Sequence, residues 1–316
     1  MKAAGKAVKS PGKSWFNRLG RDLKRNKVLY FMLIPGMTYF LLFKYGSMYG
    51  LVIAFMDYNP FRGIGGSSFV GFDHFIRLFS ERTFGMLFQN TLILAICNIV
   101  FYFPVPILLA LLLNEIRNKW YKNCVQTLIY IPHFISWPVV VSLCYLLFRP
   151  SNGFVNEILT SLNFSEINPL MNASFFRPMV ILQQIWKESG WGTIIFLAAL
   201  SGVNAELYEA ATIDGANRFH QLLYITVPAI RSTVITMLIL RMGTFMDSGF
   251  EQIYLMLNSL NRSVGEVFDT YVYTTGLVNG QFSYSTAVGM FKSIISLGMV
   301  IAVNALAKHF GEEGVY

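Results

Sequence analysis

Six stretches of this chain are apolar for about as long as a helix needs to cross a bilayer: Val28 to Ser47, Thr91 to Leu113, Val125 to Leu147, Pro178 to Leu200, Ala229 to Phe245 and Ala287 to Ala307. A hydrocarbon core about 30 Å thick takes roughly 20 residues rising 1.5 Å each. With so many such runs lipid is the main solvent, and every backbone polar group in a run has to be satisfied within a helix. Charge agrees, since 13% of residues are charged against about 25% in soluble domains. The expectation is an all-α, polytopic membrane bundle of six transmembrane helices, whose even count puts both termini on one side.

The formal net charge of +8 is local. Nine lysines and arginines between Lys2 and Lys27 face only Asp22, and the remainder of the chain balances to zero. A basic block ending where an apolar run begins reads as a cytoplasmic anchor. Within it Trp15, Phe16, Leu19 and Leu23 recur at helical spacing after Ser14, which fits an interfacial helix; a disordered basic tail fits equally. Loop cations agree on the side: Arg117, Lys119, Lys122, Arg218, Arg231 and Lys308 join the tail inside, leaving Arg62, Arg77, Arg82, Arg149, Arg177 and Arg262 outside. The domains are therefore a basic tail, 1–27, and a six-helix transmembrane domain, 28–316, with its core at 84–307. The basic region is too long for a cleaved signal, and no small-residue cleavage site follows. Cys97, Cys124 and Cys144 have no redox or metal spacing and read as lipid-facing or packing residues.

Outside the spans, Phe154, Val155, Ile158, Leu159 and Leu162 make the stripe of an amphipathic helix, and a second such piece follows a capping Asp73 up to Phe79. Pro35, Pro104, Pro106, Pro132 and Pro138 fall inside spans and favour kinks.

The segment between the fourth and fifth spans, 204–228, carries the most information. Asn204 suits a helix cap, and Leu207, Ala210 and Ala211 then share a face. Asp214-Gly215 stops that helix, Asn217 caps a second, and Pro228 suits the start of the fifth span. Small alanines beside acidic Glu209 and Asp214 make a compact knob for a basic groove. On these grounds alone, an ordinary return loop stands level with a docking element.

Glu209-Ala210-Ala211, three residues, Gly215, nine residues, Ile225, one residue, Val227 and Pro228 resembles the EAA motif of binding-protein-dependent ABC importer permeases, EAA-x3-G-x9-I-x-L-P. Only Val227 departs, replacing leucine. Phe69-Val70-Gly71-Phe72, Asn90-Thr91-Leu92, Ile195-Phe196-Leu197-Ala198-Ala199-Leu200 and Gly311-Glu312-Glu313-Gly314 are similar to the maltose-type, carbohydrate branch. Tyr130-Ile131-Pro132-His133-Phe134-Ile135-Ser136-Trp137 and Thr270-Tyr271-Val272-Tyr273 resemble its subgroup for oligosaccharides or polysaccharide fragments. The resemblance implies a type I ABC importer permease fold with cytoplasmic termini. It also implies ATPase coupling through Tyr208, Glu209, Ala210, Ala211, Ile213, Asp214 and Gly215. The partners it implies are a second permease, giving a heterodimer, two copies of a cytoplasmic ATPase and an extracellular solute-binding protein. ATP and Mg would sit on the ATPase, with no cofactor on this chain.

Lys44, Lys187, Glu188, Arg241 and Lys292 lie in or at the edges of spans, where a central charge costs about 3 kcal/mol. Lys44 and Lys292, near span ends, are expected to snorkel. Neighbouring helical residues diverge by about 100°, so Lys187 and Glu188 are not expected to pair, and Glu188 with Arg241 is the preferred pair. Ser189-Gly190 would break the fourth helix. Gln183, Gln184, Trp186, Lys187, Glu188 and Trp191, with Arg241, are candidates for a sugar pathway, aromatic faces and polar groups being what sugars need; a structural ion pair with packing tryptophans is the other reading.

An enzyme lacks its residues here: the four histidines have no HExxH spacing, and no G-x-S-x-G elbow occurs. Gly12-Lys13-Ser14 has Ala at position 7 and no preceding strand, so it is no P-loop. Nucleic acid is excluded at 205–226, where Glu206, Glu209 and Asp214 oppose Arg218. A self-sufficient secondary transporter would show inverted repeats, which are not visible.

Overall fold

The structure, a computed structural model, describes residues 25–150 and 152–309. The basic-tail helix at 14–23 and the closing Gly311-Glu312-Glu313-Gly314 lie outside them. The chain divides into two units, residues 1–53 and 54–316. In the first, the helical run Lys27–Phe55 begins; it is apolar and long enough to span, and no residue of its most apolar window is buried. Pro35 sits within it, and a π-helical stretch follows at Phe40–Tyr45. Lys44 is exposed there.

The second unit opens on a short hairpin, Met56–Asp57 paired antiparallel with Ser68–Phe69, and then the helix Asp73–Ser80. Asp73 is not the cap: Phe72 holds that position, without a side-chain hydrogen bond, and Asp73 lies in the first turn, where the helix dipole favours an anion. The other amphipathic piece forms at Phe154–Ser161, with Leu162 as its C-cap.

Two of the expected spans, Arg82–Glu115 and Phe282–His309, are single helical runs, and up to three more are bent pairs. Arg82–Glu115 carries a π-helical turn at Asn98–Tyr102, just before Pro104, whose missing N–H cannot continue the ladder. The third span is no single rod. Lys119–Phe134 turns by 98° into Trp137–Phe148, because Pro132 tightens the first helix into a 3-10 turn and Ile135 and Ser136 are extended ahead of Pro138.

The fourth span corrects the sequence reading. Ala173–Ser201 runs unbroken through Ser189 and Gly190. Gly190 serves contact instead of curvature: a Cβ there would stand 1.9 Å from the Ile129 carbonyl oxygen. The helix leaves the bundle by a 69° turn into Ala205–Ile213, and Arg218–Ala229 turns by 54° into Arg231–Gly243. Pro228 therefore ends the connecting helix, and the fifth span starts after Ile230.

Three apolar clusters hold this unit together. Leu94, Phe176, Val180, Ile253, Met256 and Val267 form one, and Leu78, Leu87, Met246, Phe268, Tyr284 and Val288 another. Ala110, Leu111, Phe196, Leu200 and Ile230 form the third, at the roots of the 204–228 segment. Side chains of this kind contribute about 1.5–3 kcal/mol each when fully buried. The family-like Asn90-Thr91 has a structural role: Asn90 Nδ2 donates to the carbonyls of Ser263 and Glu266, its Oδ1 accepts from Arg177 Nη2, and Thr91 Oγ1 accepts from Phe268 N.

Candidate functional site

The 204–228 segment is a built hairpin of two helices. Asn204 Oδ1 accepts from Glu206 N at 3.0 Å, capping Ala205–Ile213. Its end is a Schellman turn: Gly215 adopts φ +81°, its N–H bonds Thr212 O, and Ala216 N bonds Ala211 O at 2.8 Å. A side chain at 215 would strain that left-handed backbone, which is why glycine stands there. Asn217 Oδ1 then accepts from His220 N, starting the second helix. The two helices are tied by Tyr208 OH to Thr226 Oγ1 at 3.0 Å and by Gln221 Nε2 to Thr212 Oγ1 at 2.9 Å.

These bonds sort the seven coupling candidates. Glu209, Ala210, Ile213, Asp214 and Gly215 are exposed, Ile213 to 87%. Tyr208 and Ala211 are half-buried, and Tyr208 braces the hairpin from within. Arg218 Nη1 approaches Glu115 Oε2 at 3.4 Å, setting the hairpin against the end of Arg82–Glu115. The exposed surface is thus acidic and small-residued, with one unshielded isoleucine.

Within the spans, Gln184, Glu188 and Trp191 recur at i, i+4 and i+7 on the helix Ala173–Ser201 and so share a face. Trp186 is about 160° round from Glu188, exposed, and outside the group. Glu188 does not meet Arg241. Its two oxygens take His133 Nδ1 at 2.7 Å and Lys187 Nζ at 2.9 Å. The adjacent pair forms after all because the long lysine stem curls back, which the divergence of Cα–Cβ vectors does not forbid. Lys187 Nζ also donates to His133 O at 2.8 Å, and the His133 ring stacks on Trp191 with centroids 4.5 Å apart. His133 reaches this cluster from the 3-10 turn Ile131–Phe134, just ahead of the bend. Nothing in the linear spacing pointed to it.

Arg241 has different company. Its Nε and Nη2 both donate to Asn98 Oδ1, Asn98 Nδ2 donates to Gln184 Oε1, and the guanidinium carbon lies 5.2 Å from the Tyr102 ring centroid. Asn98 and Tyr102 are the two ends of the π-helical turn in Arg82–Glu115. Lys292, expected to snorkel, is instead largely buried between Asp247 and Asp269 and bonds both. Gln183, grouped with Gln184 by sequence, is buried against Gln252 and Cys144.

At one end of the spans Glu81 accepts from Tyr284 OH at 2.8 Å, Tyr271 OH at 3.0 Å and Arg77 Nε at 2.8 Å. Burial pushes its carboxyl up, but these hydrogen bonds and the Arg77 charge outweigh it, so the pKa lies below the ordinary value.

Residues 102–312 match the family described as binding-protein-dependent transport system inner membrane component. The chain is 56% identical over 299 residues to the polygalacturonan/rhamnogalacturonan transport system permease protein YteP of Bacillus subtilis, covering 95% of this chain and 93% of that one. It is 53% identical to Protein LplB of the same organism, over 93% and 92% of the two chains. A chain in the crystal structure of a bacterial alginate ABC transporter, in complex with an alginate pentasaccharide-bound periplasmic protein, superposes with a TM-score of 0.86. It shares 38% identity, and the match covers 94% of this chain and all of that one.

Proposed function

The chain belongs to the binding-protein-dependent inner membrane components, the multi-pass and non-catalytic permease subunits of ABC importers. From that premise we propose that it forms half of a pathway for an oligosaccharide handed over by an extracellular solute-binding protein, and that hairpin 204–228 couples the pathway to a cytoplasmic ATPase. The other half is a second, different permease, and two ATPase copies bind the ATP and Mg. The termini and the hairpin lie on the cytoplasmic side, a reading supported by the lysine and arginine asymmetry. The cargoes that its relatives are named for, polygalacturonan, rhamnogalacturonan and alginate, support a carbohydrate oligomer that carries uronates.

One observation carries the coupling reading: Glu209, Ala210, Ile213 and Asp214 stand exposed on a hairpin that is internally braced and rooted, through Leu200 and Ile230, in a buried cluster. A loop that merely returned the chain would need neither brace. Glu209 and Asp214 would meet basic groups of the groove, and Ala210, Ala211 and Ile213 would fill it. The test uses the assembled importer with Cys97, Cys124 and Cys144 replaced and a single cysteine at Ala210. The expected results are crosslinking to the ATPase and, in a separate Ala210→Trp variant, at least a tenfold loss of uptake. Labelling of that cysteine by an impermeant thiol reagent from the outer face would overturn the reading.

The same premise supports a pathway face made of Gln184, Glu188 and Trp191, facing Arg241 and His133. Lys187 neutralises Glu188 there, and Trp186 has no part in it.

A further inference from the structure

We propose that Arg241 is the residue that reads the charge of the cargo, holding a uronate carboxylate on the free edge of its guanidinium; this rests on the carbohydrate-importer reading above. A guanidinium in a span is costly unless it is paired. Yet no carboxylate lies within 4 Å of Arg241 among the described residues, and its hydrogen-bonding partner is the neutral Asn98 amide.

The way it is held decides the chemistry. Arginine has five N–H donors in a planar fork. The Nε/Nη2 edge is pinned on Asn98 Oδ1, and Asn98 is itself oriented by donating to Gln184 Oε1. The guanidinium carbon lies 5.2 Å from the centroid of the Tyr102 ring. The Nη1/Nη2 edge keeps its donors, which is the edge that takes a carboxylate end-on through two parallel bonds. A fork fixed in plane and direction loses little entropy on meeting its anion.

Two further groups border the same cavity. Gln184 keeps its Nε2 donors, and Ser248 Oγ is buried without a hydrogen-bond partner among the described residues. Asp247 is on the wall too and is held by Lys292 together with Asp269; among the described residues lining the cavity Arg241 is the one cation. The cavity now measures about 20 Å³, room for one water, so the carboxylate is admitted only when the spans part. Amide and hydroxyl donors beside the fork suit the ring hydroxyls that flank a uronate.

The test is made on the complete importer in proteoliposomes with its solute-binding protein, using trigalacturonate and a neutral oligosaccharide as cargo, with uptake counted per ATP hydrolysed. For Arg241→Gln, trigalacturonate delivered per ATP is expected to fall at least tenfold, one charged hydrogen-bonded contact being worth about that factor. Arg241→Lys, which keeps the charge and loses the fork, should restore it part way. For any neutral glycan that the wild type carries, the ratio should fall far less than for trigalacturonate in both variants. An unchanged trigalacturonate ratio, or equal losses for acidic and neutral cargo, would overturn the assignment. A wild type that moved neutral sugar but no trigalacturonate would overturn it while leaving the importer reading standing. A wild type that moved neither would overturn both.

Discussion

Replacing Gly190 by alanine tests whether the fourth span is held by backbone contact. The added Cβ would stand 1.9 Å from the Ile129 carbonyl oxygen and 2.6 Å from its carbon. That is about 1.4 Å short of an ordinary carbon–oxygen approach, and the obstacle is backbone, which has no rotamer to yield. The helices Ala173–Ser201 and Lys119–Phe134 must therefore separate locally. Overpacking of this kind costs about 1–3 kcal/mol. His133 follows Ile129 by one helical turn, so the separation also pulls its carbonyl from Lys187 Nζ, now at 2.8 Å, adding about 1 kcal/mol. The assay is the thermal midpoint of the purified protein in detergent, beside Gly298→Ala, where an added Cβ meets nothing within 4 Å. Gly190→Ala should melt well below wild type, and Gly298→Ala at or slightly above it, alanine being the better helix former. Equal midpoints for the two variants would refute the contact, and with it the explanation of why a glycine sits inside an unbroken span.

Glu81→Gln should destabilise the protein by about 1–2 kcal/mol at neutral pH, since two tyrosines and Arg77 lose a charged acceptor. Because folding lowers the Glu81 pKa, its contribution is complete above the ordinary carboxylate value and is lost as pH falls through the lower folded value. Wild type and variant should thus converge on acidification below pH 4.5, read by denaturation at stepped pH; a gap that widened there would contradict the sign. Lys292→Met leaves Asp247 and Asp269 facing each other and should cost about 2–3 kcal/mol, less than a fully buried pair because Asp247 is exposed. Adding Asp269→Asn should recover part of that loss, and strictly additive losses in denaturation would show that the two residues are not coupled.

What the sequence disclosed, and what it hid, divides by the range of the interaction. The spans and the hairpin rest on local signals: apolar length, Asn204 and Asn217 as caps, Gly215 at a left-handed turn. Those signals are complete within a few residues, so they were legible. The polar partners inside the bundle were not. Arg241 meets Asn98 from 143 positions away, and His133 meets Glu188 from 55 positions away, on the 3-10 turn that closes the first limb of the third span. Helical periodicity fixes which residues share a face. It does not say which face of another helix comes opposite, nor how far a lysine stem bends back, and so the Glu188 pairing was misread. Gly190 failed for a related reason, because the same residue type serves to break a helix or to admit a neighbour, and only the neighbour decides.

The rooting of the hairpin has a mechanical consequence. Leu200 closes the fourth span, Ile230 opens the fifth, Ala110 and Leu111 belong to the second, and all four pack in one apolar knot, while Arg218 and Glu115 clip the hairpin to that same second helix. A push on the hairpin cannot tilt one rod alone. It drives three helices as a wedge, so on the coupling reading proposed above an ATPase's stroke would reach the membrane as a rigid displacement, with the gate along the borders of that wedge.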